Sequence, residues 1–272
     1  MFYSGDDFIF DTKWNSSKIS KFDTSLQSKW NDSVQKGYFR YKLNIINSKV
    51  LSSRYKFVVQ LNPDRHEKRR APEEIVNISQ PFSSEKFNFT KIKNEEYLFE
   101  INKAEIGSSE HFLIINVSPL EYCHSLLLPS LFSCLPQVVT LESLQLAIEI
   151  LLLSSTPALR IGFNGLCAYA SVNHLHYHLY YLNHPMLLEN VEVEYLSGPC
   201  YQLINYSAPG FVFQLPENRN VQELARNVHH LTNFLQNINQ PHNLYITRGS
   251  RFNTSAGYNT IRVYVWVRKP AS

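Results

Sequence analysis

None of the four cysteines (Cys123, Cys134, Cys167, Cys200) stands in a Cys-x-x-Cys spacing, which removes the zinc-ribbon and thioredoxin readings. Four scattered cysteines fit reduced thiols instead. Long apolar runs are also missing. The longest, Leu141 to Leu153, contains Glu142 and Glu149 and is too short to span a bilayer. The opening Met1 to Asp7 carries acids where a signal peptide carries basic residues. A soluble, cytoplasmic protein with no membrane partner is therefore expected. Charge is sparse: 18% of residues, with a net of +3, too little one-sided charge for a nucleic-acid surface. Gly-x-Gly-x-x-Gly, Walker and Gly-x-Ser-x-Gly motifs do not occur, so dinucleotide, P-loop and serine-hydrolase chemistry lose their usual marks. No repeat or convincing linker divides the chain, and residues 1–272 are expected to form a single domain.

What is present is hydrophobic and aromatic. Sixteen tyrosines and seventeen phenylalanines, with many short β-branched runs, favour sheet. Phe22, Leu26, Trp30 and Val34 recur every four residues and predict a helix, capped by Asp23 or Thr24 and ended by Gly37. Leu141 to Leu153 predicts a second helix with Thr140 as its N-cap; Leu224, Val228, Leu231 and Leu235 predict a third. Strands are expected at Tyr38–Leu43, Tyr55–Leu61, Phe87–Phe89, Tyr97–Phe99, His111–Val117, Leu159–Phe163, Val191–Tyr195, Phe211–Phe213, Leu244–Thr247 and Ile261–Val267. Cys167 to Leu182 reads as a long strand pair or a strand with an entry turn, following the turn-like Asn164-Gly165. Asn62 to Pro72 reads as a loop on its two prolines and polar content. Helices and strands alternate without a βαβ rhythm, which points to an α+β fold with a mostly antiparallel sheet and flanking helices.

One constellation carries chemistry: His174-Leu175-His176-Tyr177-His178. In a strand the three histidines share one face and Leu175, Tyr177 and Leu179 the other. The apolar set can anchor in a core, while three imidazoles in a row are hard to explain by packing. Three readings follow. The histidines form a solvated polar face, or they bind a metal, or they serve nucleophilic catalysis at phosphorus. The metal reading lacks a following Cys or Glu pattern to complete the ligand set. The third reading needs a neutral imidazole with a free lone pair, its other nitrogen donating a proton to a carbonyl. Flanking imidazoles and Ser171 could then contact phosphate oxygens, since phosphoryl transfer asks mainly for positioning and charge stabilisation.

The string Phe163-Asn-Gly-Leu-Cys-Ala-Tyr-Ala-Ser-Val-Asn-His-Leu-His176 resembles the histidine-triad superfamily of nucleotide hydrolases and transferases. Within it, the string is similar to the branch holding the GDP-D-glucose phosphorylases of animals and the GDP-L-galactose phosphorylases of plants. Gln60 to Arg65 with Lys68 to Arg70, Phe87 to Lys91, and Ser118 to Tyr122 with Leu126 to Pro129 agree, so the resemblance runs from about Phe22 to Lys269. It implies a histidine-triad-like fold and a transferase that uses phosphate to cleave GDP-glucose into GDP and glucose 1-phosphate. The middle histidine, His176, would carry GMP covalently. No cofactor and no metal would be needed; relatives of this kind often pair, which leaves a homodimer open. The plant enzymes carry Gln at the position of His178, so His there points to the GDP-glucose branch. A hydrolase that discharges GMP to water, or a form that binds guanine nucleotides without turnover, are the alternatives. Relatives continue past the point where this sequence stops, Arg268 to Ser272, so a shortened form is expected.

The cluster Arg65, Lys68, Arg69, Arg70 is either a solvated surface run or a phosphate-binding loop. Related uridylyltransferases place such a loop on the nucleotide, and by that resemblance Arg65 and Arg69 are expected on phosphate. Asn164 is either a turn residue or a nucleotide contact. The expected substrate contacts are thus His174, His178, Ser171, Asn164, Arg65 and Arg69. The remaining histidines, including His124, lack any spacing partner and are expected to be ordinary surface or core residues.

Overall fold

The computed structural model describes residues 1–14, 16–104, 107, 110–254 and 257–269. The last three residues lie outside the described residues.

In chain order the strands are β1 (Phe2–Tyr3), β2 (Asn47–Val50), β3 (Val58–Leu61), β4 (Tyr97–Glu100), β5 (Asn102–Lys103), β6 (Phe112–Ile115) and β7 (Ser125–Leu128). They continue with β8 (Leu159–Asn164), β9 (Tyr177–Tyr181), β10 (Val193–Ser197), β11 (Cys200–Leu203), β12 (Phe211–Gln214), β13 (His242–Gly249) and β14 (Thr260–Val267). The longer helices are α1 (Lys21–Gln35), α3 (Leu141–Leu152) and α4 (Val221–Asn237); α2 (Pro63–Lys68) is short. Ten strands form one sheet in the order β10-β11-β12-β14-β13-β8-β9-β7-β6-β4. All its described pairings are antiparallel. This is the α+β architecture with a mostly antiparallel sheet that the sequence predicts.

Alternation along β8 and β9 decides which way each residue points. Leu159, Ile161 and Phe163 of β8, with Leu175, Tyr177, Leu179 and Tyr181 on or before β9, enter the main core. There they meet Leu144, Ala147, Ile148 and Leu151 of α3 and Leu224, Val228 and Leu235 of α4. The Tyr177 hydroxyl lies 3.0 Å from Ser143 Oγ on α3. Arg160, Gly162 and Asn164, with His176, His178 and Tyr180, are left for the opposite face.

Both expected helix starts near α3 and α1 can be compared at atomic detail. Thr140 Oγ1 accepts from the Ser143 N–H at 3.1 Å, the N-cap predicted for α3. For α1 the cap is Ser20, whose Oγ accepts from Asp23 N–H at 3.0 Å. Asp23 itself is buried. It accepts from Ser154 Oγ (2.7 Å), Ser155 N–H (2.8 Å) and Tyr181 Oη (2.7 Å), tying α1 to the end of α3 and to β9. Gly37 follows α1 at φ +74°, where a side chain would be strained.

Some expected elements are absent. Residues 38–43 form no strand; Arg40 N–H donates to Val117 O (2.9 Å) and the buried Tyr41 hydroxyl to Pro119 O (2.7 Å). Those scattered anchors hold the segment across the sheet without a ladder. Phe87 to Phe89 are likewise not a strand. Asn88 Oδ1 accepts from Thr90 N–H at 3.0 Å and turns the chain into a 3-10 turn at Phe89–Lys91. Within the expected loop 62–72, Pro63 opens helix α2, where its missing N–H costs nothing. β7 and β11 are strands that periodicity did not single out. Among the described residues no helix is long and apolar enough to cross a membrane. All four cysteines are free.

Asp23→Ala should leave at least three buried donors without an acceptor. A loss of about 3 kcal/mol or more is expected, read as a lowered urea midpoint at an unchanged slope.

Candidate active site

The pairing of β8 with β9 ends at Gly162 opposite His178. Beyond that point the two chains part, and Gln137 fills the opening. Its Nε2 donates to Asn164 O and His176 O at 3.0 Å each, and its Oε1 accepts from His176 N–H at 2.8 Å. Both backbone groups of His176 are thus held by one side-chain amide. Gln137 is in turn fixed by Asn173, whose Oδ1 accepts from Gln137 N–H at 2.9 Å. Asn173 Nδ2 donates to Gln80 O (2.9 Å) and Pro81 O (2.8 Å). The turn at Gly165 closes the same corner. A Cβ there would stand 2.4 Å from His242 O, so only glycine fits.

These contacts set a floor beneath a cavity of about 780 Å³, a volume suited to a nucleotide-sized ligand. Gly162, Asn164, Ser171, His176 and His178 contribute to its wall. Gly162 leaves open space beside His178, since a Cβ there would meet nothing within 4 Å. Five cations, Arg40, Arg65, Arg69, Arg70 and Lys93, face two carboxylates, Glu95 and Glu96, around the cavity. Arg65 Nη1 donates to Ser118 O at 2.7 Å, which fixes its guanidinium. Arg69 is exposed and Arg70 half-buried. The Arg70 guanidinium lies 3.7 Å from the centre of the Phe87 ring. Burial, with Arg40 nearby, pulls its pKa down to about 10, still charged at neutral pH.

Only the last histidine of the run lies within β9; His174 ends a bend, and His176 sits between that bend and the strand. His176 Nδ1 is 2.7 Å from His174 O, which can only accept, so Nδ1 carries the proton and Nε2 the lone pair. The His176 and His178 rings stand 5.1 Å apart, and Phe89 packs 5.0 Å from His176. His174 does not reach the cavity wall. It is 1% exposed. Its Nδ1 accepts from Phe89 N–H (3.1 Å) and its Nε2 donates to Leu131 O (3.1 Å). Of the expected contacts, the structure therefore gathers His176, His178, Ser171, Asn164, Arg65 and Arg69 around one cavity, and sets the His174 ring behind it.

Burial holds the imidazoles neutral. It pushes His174 down to about 4 and His178 to about 3, with His124 and Arg65 adding to the effect on His178. His176 lies well below its ordinary value, again mainly through burial, then His178.

Sequence reasoning missed four participants. Arg40 and Lys93 stand in segments that carry no spacing of note. Gln137 is a lone amide after Pro136. His124, expected to be ordinary, has its Nε2 3.0 Å from His178 Nδ1, and its ring centre 5.2 Å from that of His178. Nothing along the chain links residues 54 positions apart. Among the described residues no three His, Cys, Asp or Glu side chains gather so as to hold a metal ion.

Comparison with solved structures bears on the fold. Yeast Ap4A phosphorylase Apa2 in complex with Ap4A superposes with a TM-score of 0.62 at 15% identity, over 90% of this chain and 80% of that one. The chain thus shares the fold of that enzyme. Two family models then match in sequence: "GDPGP1-like, N-terminal domain" over residues 21–180 and "GDPGP1-like, C-terminal domain" over residues 194–272. The chain belongs to this GDPGP1-like family. GDP-D-glucose phosphorylase 1 of Xenopus laevis is 36% identical, covering 99% of this chain and 80% of that protein. The Danio rerio protein of the same name is 39% identical over 92% of this chain and 73% of its own length. GDP-L-galactose phosphorylase 1 of Arabidopsis thaliana is 33% identical over 90% of this chain and 59% of its own length.

Three buried histidines and the half-buried His178, all held neutral, make stability depend on pH. His124 and His178 (about 3) and His174 (about 4) bind protons less readily when folded than at the ordinary 6.5. Their contribution is fully present above about pH 6.5 and is lost as pH falls toward the folded values. Urea midpoints should drop between about pH 7.5 and about pH 5, and the drop should shrink in His178→Gln.

Proposed function

We propose that this chain is a GDP-hexose phosphorylase, with GDP-D-glucose and inorganic phosphate as its substrates. One observation carries the reading. The proton of His176 is tied to the His174 carbonyl, leaving the Nε2 lone pair free on a cavity-lining ring that burial keeps neutral.

In the first step His176 Nε2 attacks the α-phosphorus. The bond from that phosphorus to the bridging oxygen breaks, and the hexose 1-phosphate leaves with the electron pair. GMP stays on Nε2, while Nδ1–H remains donated to His174 O and spreads the charge of the ring. In the second step an oxygen of inorganic phosphate attacks the same phosphorus. The P–N bond breaks, its electrons return to Nε2, and GDP is released. Arg40, Arg65, Arg69, Arg70 and Lys93 offset the charge on the diphosphate. Ser171, Asn164 and His178 supply polar contacts within the same wall. His174 acts through its carbonyl and its hold on Phe89, not by touching substrate.

The chain works as one catalytic domain in this reading. Support comes from β8 in the first matched segment, which pairs with β13 in the second. Four free thiols fit a reducing, cytoplasmic setting.

Intact mass spectrometry after mixing the protein with GDP-glucose in the absence of phosphate should show a GMP adduct. It should disappear on adding phosphate, with GDP as product, and be absent in His176→Asn, whose turnover should fall about a thousandfold or more. GMP release without phosphate would identify a hydrolase instead.

A further inference from the structure

We propose that His124 is a positioning residue: it fixes which nitrogen of His178 carries the proton, and so presents His178 Nε2–H as a permanent donor to a phosphate oxygen in the cavity. The ligand assignment rests on the phosphorylase reading; the proton assignment does not.

One group beside the His124 ring has a fixed polarity. Leu120 N–H is a donor, and it lies 2.9 Å from His124 Nδ1. That nitrogen must therefore offer its lone pair. A neutral imidazole has one donor and one acceptor, so the proton of His124 is on Nε2. The His124 ring is completely buried, and burial keeps it neutral, at about 3.

Two nitrogens lie near His124 Nε2: Asn116 Nδ2 at 3.1 Å and His178 Nδ1 at 3.0 Å. The Asn116 amide is oriented by its Oδ1, which accepts from Ser118 N–H at 3.0 Å. Its Nδ2 is then a donor facing a donor, and cannot take the proton. His178 Nδ1 can, and does so only by presenting its lone pair. The proton of His178 must accordingly sit on Nε2. Were it on Nδ1, the buried His124 Nε2–H would have two donors beside it, Asn116 Nδ2 and His178 Nδ1, and no acceptor.

The consequence is a pair of neighbouring rings with opposite polarity. His176 holds its proton on Nδ1 and shows a lone pair; His178 holds its proton on Nε2 and shows a donor. Both line the cavity, with ring centres 5.1 Å apart. A phosphorus under attack and the anionic oxygen bonded to it ask for that combination side by side. No rotation or proton uptake is needed when substrate arrives. Backbone geometry at Leu120 thus reaches the cavity through two imidazoles.

Nitrogen-15 NMR of histidine-labelled full-length protein reads the tautomer directly, with the His178 signals assigned by their absence in His178→Gln. Wild type is expected to show a protonated Nε2 and an unprotonated Nδ1. In His124→Phe, which keeps the ring and removes both nitrogens, the two His178 forms should mix and kcat should fall about tenfold. His124→Gln, which keeps a side-chain donor, should recover most of the tautomer and most of kcat. A wild-type His178 protonated on Nδ1 would overturn the proposal. So would a folded His124→Phe protein with unchanged tautomer and kcat. Should His124→Phe fail to fold, the wild-type spectrum and His124→Gln still decide. Absence of GDP-hexose turnover in wild type would defeat the phosphorylase reading and leave the spectrum to judge the proton assignment.

Discussion

The side-chain amide of Gln137 is the contact on which the cavity floor depends. Antiparallel strands normally satisfy each other's backbone groups, but β8 and β9 part just where His176 must sit. Without a substitute, the N–H and C=O of His176 would be buried and unpaired. Gln137 replaces a missing strand with three hydrogen bonds, to Asn164 and to both sides of His176. The separation of the strands is what lets the His176 ring reach the cavity. The amide is what keeps that separation from costing stability. Asn173 then locks Gln137 by its backbone, so that the bend before β9 has one conformation.

A second constraint is the division of charge across the cavity. Its polar floor is built from imidazoles that burial holds neutral, while its cations are guanidinium and ammonium groups on the segments around it. A neutral nucleophile and a positive surround are hard to combine at one depth. Cations next to His176 further depress its protonation, which favours the lone pair, but they also demand solvation or partners of their own. Arg70 lies over Phe87 and Arg65 is hydrogen-bonded to Ser118 O; Arg69 is left to water. Each is held differently, at a different cost in desolvation.

Much of this was legible in the sequence because period-two and period-four patterns report burial. Leu175, Tyr177 and Leu179 do enter the core, and α3 and α4 lie where their apolar stripes place them. The Thr140 cap is as read. What the pattern could not show was where β9 begins. Alternation was extended back to His174, but the chain bends there, and the His174 ring turns to Phe89 N–H and Leu131 O. Residues 38–43 have strand-like composition yet form no ladder; their hydrogen bonds are scattered over Ser33, Arg65, Val117 and Pro119. His124 and Gln137 were invisible for the same reason. Their importance lies in partners far along the chain, and no local spacing encodes a partner.

The pairing of β8 with β13 bears on the order in which the protein can be completed. β8 and β9 leave the ribosome well before residues 242–249, which flank β8 on its other side. Gly165, at the end of β8, also packs against His242 O from that late strand. The segment carrying His176 is therefore synthesised early and braced late. Until β13 has emerged, the nascent chain holds β8 as an open edge, and the corner beside the histidines has only one of its two walls. Assembly of the site is thereby coupled to the emergence of β13, although His176 itself lies far upstream.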